Sequence, residues 1–272
     1  MNTMDHTLLA TTFPTYPGTP LRRGSTGDDV AAMQYCLDSI RVNLYNSLGA
    51  LTVDGIFGSR TQATVMQYQA IKGLTVDGVI GRSTWNSIVS DYESIPAPAR
   101  EIYPGAPLTQ GSRGPTVLLM QTRLNICVPV YPAINRLTED GKFGQNTANA
   151  TRLFQKQFGL TADEVIGEST WNAIIRVSNS VATSNHEEVQ TRYTGLVSMG
   201  STGDSVRFVQ SYMNRVGRAH TPTFPTVTID GIFGNASRAL VMEFQARYGL
   251  TVDGIVGSST WSRMILEFNQ IV

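Results

Sequence analysis

One stretch constrains this chain more than any other, because it occurs three times. Leu51 to Val89 returns as Leu137 to Ile175 and again as Val227 to Ile265. In every copy two turn acids stand 23 residues apart: Asp54/Asp77, Asp140/Asp163 and Asp230/Asp253. A tryptophan follows the second acid by eight residues each time, at Trp85, Trp171 and Trp261. An internal repeat decides the architecture before composition does. The 272 residues therefore read as three small domains rather than one large core. Domains of about 70 residues bury only about 60% of their unfolded surface, so each core is marginal.

Each copy has the same internal order. A Tyr-Pro-Gly lead-in (Tyr16-Pro17-Gly18, Tyr103-Pro104-Gly105, and Tyr193-Thr194-Gly195 in weakened form) precedes a Gly-x-x-Gly segment. A helical stripe follows: Val30, Met33, Leu37 and Ile40; Val117, Met120 and Leu124; Val206, Val209, Met213 and Val216. Steps of three and four put each set on one helix face. Asp28 and Asp204 suit the start of that helix, and Pro115 is tolerated there in the second copy. The first Asp-Gly turn then opens a second helix, ended by Gly73, Gly159 or Gly249 as left-handed terminators. The second turn opens a third, with Ser83, Ser169 and Ser259 as candidate N-caps. The fold class expected is all-α: three tandem three-helix domains with Asp-Gly turn loops, joined by linkers.

The boundaries expected are a tail at 1–20, repeats at 21–92, 108–177 and 196–272, a proline-rich link at 93–107 and a polar link at 178–195. The first link should be stiff and the second loose.

Zero net charge, from 21 basic and 21 acidic residues, argues against bulk attraction to nucleic acid or an anionic membrane. No apolar run approaches the roughly 18 residues of a membrane span. The first residues make a poor secretory signal, which points to cytoplasmic synthesis with non-classical release or assembly inside the cell. Cys36 and Cys127 read as reduced, at least partly buried thiols. His6, His186 and His220 are scattered through tail, link and loop, with no ligand spacing.

The six turn acids could be catalytic carboxylates, metal ligands or turn formers. Asp bonds its own backbone in turns, and a following Gly supplies positive φ. An active site is built once rather than six times, and calcium needs several oxygens on one loop. The residues Asp54, Gly55, Asp77, Gly78, Asp140, Gly141, Asp163, Asp230, Gly231, Asp253 and Gly254 therefore read as structural turns, with no metal or cofactor expected. The tryptophans lie at helical spacing from aliphatic residues and read as core. Exposed rings are expected instead at Tyr16, Tyr45, Tyr103 and Tyr131, in loops.

The run Gly24, Gly27, Val30, Met33-Gln34, Leu37, Asp54-Gly55, Phe57-Gly58, Thr61, Tyr68-Gln69, Gly73-Leu74, Asp77-Gly78, Gly81 and Thr84-Trp85 resembles the peptidoglycan-binding domain found on many bacterial cell-wall hydrolases. The lead-in also looks like repeats of spore-forming Gram-positive bacteria. The resemblance implies compact three-helix domains that bind wall glycan or stem peptide without cleaving it. Glu164, where the pattern has Gly, departs from it and puts that turn's shape in question.

With only tail, links and repeats on the chain, the expectation is a protein that is not an enzyme and binds peptidoglycan through several copies, with avidity from three weak sites. Two alternatives stand beside it: an adaptor of a phage, spore or injection particle, working through protein partners, or a targeting subunit of a separate hydrolase. The place expected is the cell wall, a spore or a particle. Ligand contact is assigned to the least similar residues after each first turn: Ser59 and Arg60, Gln145 and Asn146, and Asn235 beside Ala236. A constant frame carrying variable residues is how many sites are built.

Overall fold

The computed structural model describes residues 15–96, 101–220 and 225–272. Most of the expected tail, His6 and part of the proline-rich link lie outside the described residues. Among the described residues the chain is all-α, with isolated bridges in place of strands. Repeat 1 holds α1 (Asp28–Asn43), α2 (Ser59–Lys72) and α3 (Arg82–Ser94). Repeat 2 holds α4 (Pro115–Cys127), α5 (Gln145–Gln157) and α6 (Glu168–Ala182). Repeat 3 holds α7 (Asp204–His220), α8 (Asn235–Arg247) and α9 (Ser258–Ile271).

The first helix of a repeat is its central post. On α1 the expected stripe Val30, Met33, Leu37 and Ile40 is buried, and so are Tyr35, Cys36 and Ser39 beside it. The helix packs against both α2 and α3, as α7 does against α8 and α9, so it has little free face left. Trp85, Trp171 and Trp261 are all buried, at 1%, 0% and 3% exposure. Both cysteines are free thiols and buried, and burial pushes the Cys127 thiol up to about 12.

The Gly-x-x-Gly segment is hydrogen-bonded onto the first Asp-Gly turn. The Gly27 N–H donates to the Gly55 carbonyl at 2.9 Å, with the same bond from Gly114 to Gly141 and from Gly203 to Gly231. The approach is close. A Cβ on Gly55 would lie 3.3 Å from the Gly27 carbonyl oxygen, and one on Gly141 or Gly231 would lie 3.2 Å from its counterpart. With φ near +70° at these turns as well (68°, 67° and 76°), glycine is needed both for conformation and for room.

Ser83, Ser169 and Ser259 are not the caps of the third helices. Those helices begin one residue earlier, after Gly81, Gly167 and Gly257, which are extended and make no side-chain cap bond. The glycine carbonyl instead takes the N–H of the tryptophan four residues on, at 2.8–2.9 Å. The serines therefore sit inside the first turn.

The chain divides into two compact units. One holds residues up to Gln121 with Glu139–Phe143, and the other holds Thr122–Thr138 with Gly144–Val272. In the second unit, the link expected to be loose is pinned. Helix α6 runs on to Ala182. Val189 and Thr191 are buried, and Asn269 bonds both the N–H and the carbonyl of Val189, at 2.9 and 3.1 Å. Polar composition hid this, because the anchoring is carried by backbone groups and one apolar side chain. Tyr131 is likewise buried rather than exposed. Its ring meets Phe158 edge-on at 5.0 Å, and its hydroxyl donates to the Glu187 carbonyl at 2.6 Å.

Candidate functional site

The six turns are one device used six times. In each, a buried glutamine from a preceding helix reaches into the turn. In repeat 1 the Gln34 amide donates to Asp54 at 2.9 Å, to the Ile56 carbonyl at 3.0 Å and to Thr61 at 3.1 Å, while its oxygen takes the Gly55 N–H at 2.9 Å. Gln69 treats Asp77, Val79, Thr84 and Gly78 in the same way. Gln121 serves Asp140, and Gln155 serves Asp163. Gln210 serves Asp230, and Gln245 serves Asp253.

Each Asp also accepts the N–H two residues on, at 2.8–3.0 Å. At Asp77, Asp140, Asp230 and Asp253 these bonds favour the ionised form. The backbone N–H of Val79 and the Gln69 amide hold Asp77 below the usual carboxylate range. Gln121 and the Lys142 N–H do so for Asp140. Asp230 and Asp253 are lowered the same way, by the N–H groups of Ile232 and Ile255 with Gln210 and Gln245. The turns thus form a rigid frame, and their acids are engaged as acceptors.

Glu164 keeps the shape of its turn. It takes a left-handed φ of 64°, its N–H bonds the Gln155 oxygen at 3.0 Å, and its carboxylate pairs with Arg152. The turn has room for a side chain because Ala148 stands where repeats 1 and 3 have Gln62 and Arg238, whose Cγ atoms would lie 2.8 and 2.7 Å from a Cβ on Gly78 and Gly254.

What the frame displays differs from copy to copy. Ser59 and Arg60, Gln145 and Asn146, and Asn235 and Ala236 are all exposed in the first turns of α2, α5 and α8. Each pair lies on its own repeat. The Gln145 amide donates forward along α5 to Asn149 at 3.2 Å. Beside these pairs stand the exposed Ile56 (55%) and Ile232 (58%), with the exposed Lys142 at the same place in repeat 2.

None of the six lines either of two clefts, one in each unit. In the first unit, a cleft of about 390 Å³ runs along Asp54, Gly55 and Ile56, closed by Pro104, Pro107 and Arg113. In the second, a cleft of about 450 Å³ is lined by Lys156, Thr161, Gln190, Arg192, Thr194 and Asp204, among others. Sequence reasoning read Asp54, Gly55 and Asp204 as turn or helix-start residues and gave no lining role to these or to the lead-in and link residues Pro107, Gln190, Arg192 and Thr194. It named Gln34 and Gln69 only within the resemblance and gave none of the six glutamines a role, although one stands 19 or 20 residues before each first turn acid and another eight before each second. Among the described residues no group of three or more His, Cys, Asp or Glu is placed to hold a metal.

Comparison with known proteins follows the same three segments. The model of the peptidoglycan binding domain family matches residues 26–88, 113–174 and 202–264. A probable N-acetylmuramoyl-L-alanine amidase of Bacillus licheniformis is 29% identical over 167 residues, 59% of this chain and 45% of its own length. The N-acetylmuramoyl-L-alanine amidase CwlM of Mycobacterium tuberculosis is 29% identical over 61% of this chain and 38% of its own. The chain thus spans less than half the length of these relatives. Among solved structures, the SleB N-terminal domain is 32% identical, covering 28% of this chain and 96% of that one, with a TM-score of 0.25.

The amidase matches overturn the expectation that the chain is not an enzyme. Proteins 29% identical over about 60% of it are named for a reaction, so the presence of the repeats does not argue against one. The three matched segments cover more than half of the sequence, and the chain belongs to the peptidoglycan binding domain family, which it carries in three tandem copies.

Proposed function

We propose that this chain binds bacterial cell-wall peptidoglycan, with the exposed residues at the start of α2, α5 and α8 making contact. The observation that carries this reading is the recurrence of one glutamine-locked turn frame in three family-matched repeats. Each frame holds a different pair at the surface, polar at every position but Ala236. Three sites on one chain raise the effective concentration of each for a polymeric ligand.

Arg60 is the strongest single contact, because a guanidinium grips a stem-peptide carboxylate with two bonds. The turn acids and the tryptophans serve as frame and core. The place of action is the cell wall. Repeats at 21–92, 108–177 and 196–272 are the binding modules. Sedimentation of the full chain with purified wall sacculi, wild type against Arg60→Ala, tests this. Weaker pelleting of the variant at equal folded content supports the contact, and equal pelleting removes it.

A second reading, cleavage of the N-acetylmuramoyl-L-alanine bond, is favoured by the names of the relatives. Release of soluble fragments from dye-labelled sacculi in the same tubes supports it, and a supernatant without dye removes it.

A further inference from the structure

We propose that repeats 2 and 3 build between them a composite cleft that takes a singly charged carboxylate group flanked by hydroxyls, the chemistry of an acidic sugar or a sugar-linked peptide. The proposal rests on the wall-binding reading and names a second place where a wall fragment docks. The walls of the cleft are the end of α5 with the turn after it, the segment 190–194, and the start of α7.

These walls are fixed. Arg152 donates to the two oxygens of Asp204 at 3.0 and 3.3 Å, and Lys156 donates to the same carboxylate at 2.7 Å. The Gln190 N–H donates to the Gln157 carbonyl at 2.7 Å. The Thr191 hydroxyl shares a 2.7 Å bond with Tyr212, and Trp261 donates to the Thr191 carbonyl at 3.3 Å. The link is thus tied to a helix of each repeat, and the backbone walls of the cleft need no ordering when a ligand enters, which removes one cost of binding and leaves that of fixing the Arg192 side chain. Its volume of about 450 Å³ suits a small ligand.

The lining sets the chemistry. Arg192 is exposed and forms no hydrogen bond or ion pair with any described residue. Nearby, Arg152 and Lys156 are engaged by Asp204, and Arg152 also by Glu164. Three cations against two carboxylates leave one positive charge over, and Arg192 is the group that carries it. Around it stand the hydroxyls of Thr161, Thr194 and Ser205, the last two sharing a 3.0 Å bond. Phe208, 2% exposed, gives an apolar floor.

The sequence of repeat 2 points to the same junction. Arg152 and Lys156 replace Met66 and Ala70 of repeat 1, and Met242 and Ala246 of repeat 3. Glu164 replaces Gly78 and Gly254. All three departures from the sister repeats meet around Asp204 or its partner Arg152.

The test uses the full chain and a soluble disaccharide-tripeptide released from sacculi by a muramidase, titrated calorimetrically. Arg192→Gln should weaken binding by about tenfold with an unchanged melting midpoint, because the side chain is exposed and unbonded. Thr161→Tyr, which fills the cleft from an exposed position, should weaken it as well. Amidating the probe's carboxylates should erase the difference between wild type and Arg192→Gln. Equal affinity for wild type and both variants, or no binding of the probe by wild type, overturns the cleft. If all three proteins still pellet with sacculi, the wall-binding reading survives that failure; if none pellets, that reading falls separately.

Discussion

Replacing Gln69 by alanine is the sharpest probe of the turn lock. Gln69 is 1% exposed. Its amide nitrogen donates to Asp77, to the Val79 carbonyl and to Thr84 at 2.8, 3.0 and 3.2 Å. Its oxygen takes the N–H groups of Asp77 and Gly78 at 3.1 and 2.9 Å. Two donor hydrogens and two accepted bonds, at about 1 kcal/mol net each, come to about 4 kcal/mol for Gln69→Ala. Loss of the buried side-chain volume adds to this, and water entering at the exposed Asp77 subtracts from it. Against the roughly 5–15 kcal/mol of a native domain, that is enough to unfold repeat 1 well before the rest. Gln69→Glu should be worse than its shape suggests, because a carboxylate cannot donate and would face Asp77. Denaturant unfolding followed by fluorescence of the buried Trp85, with Trp171 and Trp261 changed to Phe, reads repeat 1 alone. A loss under about 1 kcal/mol for Gln69→Ala would show that the bonds do not hold the turn.

Other outcomes follow from the same geometry. Trp85→Ala, at 1% exposure, should cost about 3–5 kcal/mol in the same denaturation assay. Gly55→Val should destabilise repeat 1 by about 2–3 kcal/mol, because φ is +68° and the new Cβ would sit 3.3 Å from a backbone oxygen; thermal melting by circular dichroism checks it. Glu164→Gly should shift the melting midpoint little, since relief of left-handed strain offsets a partly exposed ion pair with Arg152. Asp204 gives a pH test. Burial would raise its pKa, but bonds from Arg152 and Lys156 outweigh that and hold it below the usual 3.8. A lowered folded pKa means stability that is present above the ordinary value and lost as pH falls below it. Melting midpoints measured from about pH 5 to about pH 3 should therefore drop more steeply for wild type than for Asp204→Asn.

Much of this fold was legible because its information is local. The stripe Val30, Met33, Leu37 and Ile40 needs only one helix to be read, and an Asp-Gly turn needs only four residues. Gly73, φ 65° at the end of α2, is local in the same sense. The lock was harder to see. Gln69 lies eight residues before Asp77, and Gln34 twenty before Asp54; each glutamine reads alone as a polar helix position. The clasp between Arg152 and Asp204 spans 52 residues, and no periodicity links them. Its signal was present in a comparison of the copies, where Arg152, Lys156 and Glu164 replace Met, Ala and Gly. Val189 in a polar link had no pattern at all, and only tertiary packing explains its burial. The residue pairs at the starts of α2, α5 and α8 were chosen for their variability, and they stand exposed on the frame.

A binding isotherm of the full chain on purified, insoluble sacculi tests the central claim most directly. The chain should move into the pellet with increasing wall, saturably, and Arg60→Ala should shift the curve to higher wall concentration. A folded chain that stays in the supernatant at every wall concentration would contradict peptidoglycan binding.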